Sequence, residues 1–218
     1  MLKIEKTDVY GWDAAIRGMR NPMNSWNNCD SIFDAGFGSN SFICGENDRS
    51  LMERLVKAGT DHRKFMRMIV VYVDITAPIY WWKEYDTYKV GTVANSCSTM
   101  HRIHAKEFTL DDFSHEHLWD TAKMQLESII GVLNTFQNAF NHPNANGEYK
   151  KDCWWQMIQL LPSSYNQRRT LMLNYEVLSN IYRSRRNHKL DEWHTFCDWV
   201  ESLPESHLIT GKERCKDE

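Results

Sequence analysis

Long apolar runs are missing from this sequence. Nothing approaches the roughly 20 residues that a membrane-spanning helix needs; the longest candidate, Met68 to Ile75, is strand-sized and carries Asp74. Proline and glycine are sparse, at 5 and 10 residues, and no Pro-, Gly- or Ser-rich linker divides the chain. One domain is therefore expected over 1–218, with an irregular insertion at 18–46. No Cys-x-x-Cys occurs among the cysteines at 29, 44, 97, 153, 197 and 215, which argues against a zinc ribbon. Their wide, irregular spacing predicts reduced thiols rather than a disulfide framework. There is no Gly-rich dinucleotide fingerprint, no Gly-x-x-x-x-Gly-Lys loop and no helical His-Glu-x-x-His. Charge of one sign is also lacking: 26 basic and 29 acidic side chains leave a net charge of −3. That balance offers no global field for a nucleic-acid polymer, although a local cluster could still hold a small anion. The first residues, Met-Leu-Lys-Ile-Glu-Lys, contain no secretory apolar stretch, so a soluble cytoplasmic protein without membrane attachment is expected.

Aromatic side chains are plentiful, with nine each of Trp, Tyr and Phe in 218 residues. A chain of this length and apolar content can bury a substantial core without staples. Alternation at Leu2, Ile4 and Val9 predicts a first strand. Asn47 or Asp48 is placed to cap a helix ending at Lys57, with Gly59 as a left-handed stop. The β-branched run Met68 to Ile75 predicts a buried strand, and Pro78 is placed to open a helix carrying Trp81, Trp82 and Tyr85. Helical spacing is expected over 120–141, 149–161, 166–186 and 190–203. Helix dominates with a few strands, which defines the α+β class.

Two segments could carry chemistry. Thr87 to His101 is dense in small hydroxyl residues, and such backbone can cradle a phosphate or meet a base edge. Lys89 would add a point charge there, and Cys97 could act as a nucleophile if a cation lowered its pKa; an ordinary polar loop fits the composition as well. The run Arg183-Ser-Arg-Arg-Asn-His-Lys189 could grip phosphate through guanidinium groups, or simply complement a helix C-terminus. The pairs His101/His104 and His115/His117 have loose metal-ligand spacing, and surface or packing histidines explain them better. No metal site and no catalytic side chain are assigned.

Two blocks together carry a resemblance. Asp48 to Gly59, Phe65 and the strand leading into Ala77-Pro78-Ile79 form the first. Leu161-Pro162, Tyr165, Asn174, Leu178, Arg185, His188 and Trp193 form the second. In order and separation they resemble the flavin-dependent thymidylate synthases. The signature segment departs from that family's pattern. Thr87-Tyr88-Lys89 stands at the Arg-His-Arg place, and Asn95, Cys97 and Thr99 stand where Glu, Ser and Arg are usual. Ile158 replaces an expected arginine, and the flavin-facing histidine falls near Arg67 or Met68.

The resemblance implies a homotetramer that binds FAD and deoxyuridine monophosphate. It further implies transfer of a one-carbon unit from methylenetetrahydrofolate to the uracil ring, with NADPH as reductant. Carried over residue by residue, Arg67, Tyr88, Lys89, Asn174 and His188 would meet the cofactor. Glu84, Thr87, Asn95, Ser96, Cys97, Ser98, Thr99 and Arg185 would meet the nucleotide. Arg102, Arg168, Arg169 and Arg186 stand close enough to the blocks to supply replacement charge. The alternative is a catalytically inactive relative kept as a nucleotide-binding or protein-interaction module.

Overall fold

The computed structural model describes residues 1–33 and 42–213; Gly36-Phe37-Gly38, read as part of the irregular insertion, lies outside the described residues. In chain order the elements are β1 (Lys3–Tyr10), α1 (Trp12–Arg20), β2 (Ile32–Phe33), β3 (Phe42–Ile43), α2 (Glu46–Lys57), β4 (Val70–Pro78), α3 (Ile79–Tyr85) and β5 (Val93–Ser96). There follow α4 (Thr99–Arg102), α5 (Asp120–Asn141), α6 (Gly147–Leu160), β6 (Asn166–Asn174), α7 (Tyr175–Arg185), α8 (Asp191–Glu201) and α9 (His207–Thr210). The four-stranded sheet has the order β1-β4-β6-β5, and β2 pairs antiparallel with β3. The expected α+β character holds: helices dominate around a small sheet.

The chain forms two compact units, each assembled from separate stretches. One comprises Met1–Lys3, Ile75–Thr87 and Asn95–Arg169. Its core gathers Phe108, Phe113, Leu126, Ile130, Leu133 and Met157 between α5 and α6. The apolar stripe of α5 buries Leu126, Ile130 and Leu133 there, as helical spacing demands. Asn146 caps α6 by accepting from the Tyr149 amide at 2.8 Å. In the same unit Trp81, Trp82 and Tyr85 of α3 are buried, and the amides of Ile79 and Tyr80 donate to the carbonyls of Tyr165 and Ser163, both at 3.0 Å.

The other unit comprises Ile4–Asp74, Tyr88–Ala94 and Thr170–Glu218. Helix α7 runs through its core, burying Tyr175, Leu178, Ile181 and Tyr182. The Tyr175 hydroxyl donates to the Pro204 carbonyl at 2.6 Å, and Ser179 donates to the Ile209 carbonyl at 3.0 Å.

Three expectations need correction. The stretch 166–186 is not one helix: Asn166–Asn174 is strand β6, and α7 begins only at Tyr175. The helical stripe Leu171, Asn174, Leu178, Ile181 overlaps a period-2 pattern in which Leu171 and Leu173 both face inward, and pairing in the sheet decided between them. The segment 18–46 also holds more order than its polar composition suggests. It takes in the end of α1, 3-10 turns at Asn21–Met23 and Trp26–Asn28, and the β2–β3 ladder. Finally, α2 starts at Glu46, so neither Asn47 nor Asp48 caps it. Instead the Asp30 carboxylate accepts from the amides of Asn47 and Asp48, at 2.9 and 3.0 Å. Gly59 does stop α2 as expected, at φ +102°.

Candidate functional site

Within each unit, residues of the C-terminal block meet the first block or the signature segment that follows it. In the Tyr88–Ala94 unit, the meeting point is Arg185, the last residue of α7. Its Nε donates to the Tyr88 hydroxyl at 2.8 Å. The guanidinium carbon lies 4.9 Å from the Trp193 ring centroid and 5.5 Å from that of Tyr88. Trp193 is fully buried at the start of α8. Tyr88 and His188 both approach its ring edge-on, at 6.2 and 6.3 Å. The His188 Nδ1 accepts from the Leu190 amide at 3.2 Å, which leaves the proton of a neutral ring on Nε2.

The signature segment and the C-terminal block touch again a few residues on. Gly91 has φ +77°, and a Cβ there would stand 3.1 Å from Val177 Cγ2 and 3.4 Å from Asn174 Nδ2. Only glycine fits both the backbone angle and this approach. Asn174 is the N-cap of α7, its Oδ1 accepting from the Val177 amide at 3.0 Å. Thr92 donates to the Tyr88 carbonyl at 2.7 Å and so closes the turn. Lys89 is exposed in that turn, and Arg67 is exposed in the 3-10 turn Lys64–Arg67.

In the other unit, the polar loop is tied to β6. The Cys97 amide donates to the Arg168 carbonyl at 2.9 Å, and Gln167 Nε2 donates to the Cys97 carbonyl at 2.8 Å. Asn95, Ser96, Cys97 and Ser98 are exposed and Thr99 is half-buried. Ser98 accepts from the His101 amide at 3.0 Å and caps α4. Thr87 donates its hydroxyl to the Glu84 carbonyl at 2.8 Å, a local helix-end bond.

Beside this loop stands a cluster that residue spacing did not reveal. The Arg169 guanidinium lies 4.3 Å from the Trp82 ring centroid. It pairs with Asp86 at 2.7 Å and donates from Nε to Gln167 Oε1 at 3.0 Å. Trp82 in turn donates to the Gln167 carbonyl at 2.8 Å. Read as strand rather than helix, residues 166–174 would have put Gln167 and Arg169 on one face, and that alternation was the available signal. Of the other candidates for replacement charge, Arg186 is paired with Asp198 at 2.7 Å, while Arg102 and Arg168 are exposed.

Among the described residues no group of three or more His, Cys, Asp or Glu could hold a metal ion. His104 stacks on Phe140 at 4.1 Å. Its pKa is lowered by burial and by the nearby Arg102 and Lys150 charges, as befits a packing histidine. His115 Nδ1 donates to the Phe113 carbonyl at 2.8 Å. No helix among the described residues is long and apolar enough to cross a membrane.

The fold is shared with solved structures. A crystal structure of thymidylate synthase X (ThyX) from Helicobacter pylori with FAD and dUMP superposes with a TM-score of 0.64 at 15% identity, covering 96% of this chain and 97% of that one. A second structure of the flavin-dependent enzyme from the same organism, complexed with FAD and dUMP, gives a TM-score of 0.61 at 15% identity, over 94% of this chain and 97% of its own. No protein-family model and no curated protein matches the sequence. The likeness therefore lies in the fold, which this chain shares with ThyX over nearly its whole length.

Proposed function

We propose that this protein binds FAD and deoxyuridine monophosphate. In this reading it transfers a one-carbon unit from methylenetetrahydrofolate to the uracil ring as a homotetramer, with NADPH as reductant. One observation carries it. In a chain with the ThyX fold, Tyr88 from the signature place and Arg185, His188 and Trp193 from the C-terminal block form a single cluster.

The donor set suits anionic, ring-bearing ligands. Arg185 and the exposed Lys89 offer positive charge for phosphate. Arg67, Tyr88, Asn174 and His188 are the assigned flavin contacts, and the Asn174 amide nitrogen faces the close turn at Gly91. FAD, when bound, supplies the redox chemistry. The chain's own part is to place charge and exclude water. The segment Asn95 to Thr99, with Glu84 and Thr87 before it, offers hydroxyl and main-chain groups suited to a base edge.

Purified full-length protein tests this directly. Yellow colour with absorbance at about 450 nm is expected from an oxidised flavin, together with tritium release from 5-labelled dUMP that depends on methylenetetrahydrofolate. Colourless protein that ignores added FAD and does not bind dUMP would overturn the proposal. A second reading, the catalytically inactive relative, draws on a specific observation. Arg185 Nε is bonded to Tyr88, Asn174 Oδ1 serves the helix cap, and Arg169 is paired with Asp86. Nucleotide binding without tritium release would favour it.

A further inference from the structure

We infer that Gln167 is a positioning residue for nucleotide binding: its side-chain amide sets the Asn95–Thr99 loop and acts on the nucleotide only through Cys97. The inference rests on the nucleotide-binding reading above and adds a residue outside its assigned contacts.

The loop needs such a hold. Asn95, Ser96, Cys97 and Ser98 are small and exposed, so burial does little to fix their backbone. Hydrogen bonds to β6 do so instead. The Cys97 amide donates to the Arg168 carbonyl at 2.9 Å, and the Cys97 carbonyl accepts from Gln167 Nε2 at 2.8 Å. The first bond continues the pairing of β5 with β6, while the second depends on one side chain. Cys97 is thereby gripped through both of its main-chain groups, in the middle of the segment assigned to the base.

A glutamine amide can turn either its donor or its acceptor end toward a neighbour, and here the neighbours decide. Arg169 Nε–H can only donate, and it meets Gln167 Oε1 at 3.0 Å. The amide nitrogen is therefore turned the other way, where the Cys97 carbonyl can only accept. Arg169 is itself held. Its guanidinium lies 4.3 Å from the Trp82 ring centroid and pairs with Asp86 at 2.7 Å. Trp82 is fully buried and donates to the Gln167 carbonyl at 2.8 Å, which closes a circuit through Gln167, Arg169 and Trp82. With Asp86 matching its charge, Arg169 serves here to orient the amide. A loop fixed before binding lowers the entropic cost of capture. The assigned flavin contacts Arg67, Tyr88, Lys89, Asn174 and His188 all belong to the other unit, so the effect should fall on the nucleotide alone.

The test reads the loop and the flavin separately. Full-length wild type, Gln167→Glu and Gln167→Met are loaded with FAD, and alkylation of Cys97 is followed by peptide mass spectrometry against rising dUMP. In wild type dUMP is expected to shield Cys97. Gln167→Glu keeps an acceptor for Arg169 but sets a carboxylate against the Cys97 carbonyl. The half-shielding dUMP concentration should then rise about fivefold, the worth of one neutral hydrogen bond. FAD uptake and the thermal midpoint should stay near wild type. Gln167→Met, of similar length and without either amide group, should show the same rise, and it decides the matter if Gln167→Glu does not fold. Failure of both to fold would overturn the inference, because the amide would then hold the subunit rather than the loop. An unchanged half-shielding concentration, or FAD uptake that falls in step with it, would overturn it as well. So would calorimetric dUMP binding that leaves Cys97 unshielded, with the proposed function still standing. Wild type that takes up no FAD and binds no dUMP would overturn the function and the inference with it.

Discussion

Asp48 shows how much one residue can organise. It is fully buried and accepts from Arg20 Nε at 2.7 Å, from Ser31 through its amide at 3.0 Å and its hydroxyl at 2.7 Å, from the Asp30 amide at 3.1 Å and from the Cys29 thiol at 3.3 Å. Burial alone would raise its pKa, but hydrogen bonds from Ser31, Arg20, Cys29 and Asp30 outweigh that and hold it below the ordinary value. The sign of the pH effect follows. A carboxylate whose pKa is lower in the folded chain stabilises fully above its unfolded pKa of about 4 and loses that contribution as pH falls through the folded value. Asp48→Ala should cost about 3–5 kcal/mol, because it strands the Arg20 cation in the interior. Urea denaturation at pH 7 measures this, and the gap between variant and wild type should close as the pH is lowered below about 4.

At the level of elements, the junction of β6 and α7 matters most. Asn174 ends the strand and caps the helix with the same side chain. Asn174→Ala should therefore destabilise by about 1 kcal/mol, while Asn174→Ser, which keeps an acceptor, should recover most of it in thermal melts. FAD uptake that drops equally in both variants would point to a direct flavin contact beyond the cap. On the same first turn, buried Glu176 pairs with Arg63 at 2.9 Å. Glu176→Ala should cost several kcal/mol by the same logic as Asp48, read from the urea midpoint. Much of this element map was legible in advance. Residues 120–141 carry an uninterrupted helical stripe, and the β-branched run leading to Pro78 is a strand, because in both the local pattern agrees with the packing. Residues 166–174 were not, since Leu171 and Leu173 fit two periodicities and only the neighbouring strand decides. The cluster of Arg169, Trp82 and Asp86 was hidden because Arg169, on β6, is remote in sequence from the other two and the three share no motif. The pairing of Tyr88 with Arg185 joins the signature segment to the C-terminal block, and no sequence pattern announced it.

For the molecule as a whole, the expected reduced thiols are found among the described residues: Cys29, Cys44, Cys97, Cys153 and Cys197 are all free. They divide by environment. Burial, aided by the Glu205 carboxylate, pushes Cys44 up to about 12, and burial pushes Cys197 up to about 11. Cys97 is exposed; Cys29 is exposed too, but burial of its sulfur and the Asp48 carboxylate raise its pKa. Brief alkylation at pH 7.5 (roughly one unit below the usual thiol value) should label Cys97 first and Cys29 more slowly. Cys44, Cys153 and Cys197 should react only as the fold opens, which peptide mass spectrometry with increasing urea would follow.

The interleaving of the two units bears on how the gene can be handled. The chain passes from one unit to the other near residues 3, 74, 87, 94 and 169, so no single cut separates them. A fragment running from 95 to 169 would keep the hairpin of long helices but forfeit Trp81, Trp82 and Tyr85, which sit upstream in the sequence. Ribosomal synthesis meets the same constraint: neither half can finish its interior until strand β6 has emerged.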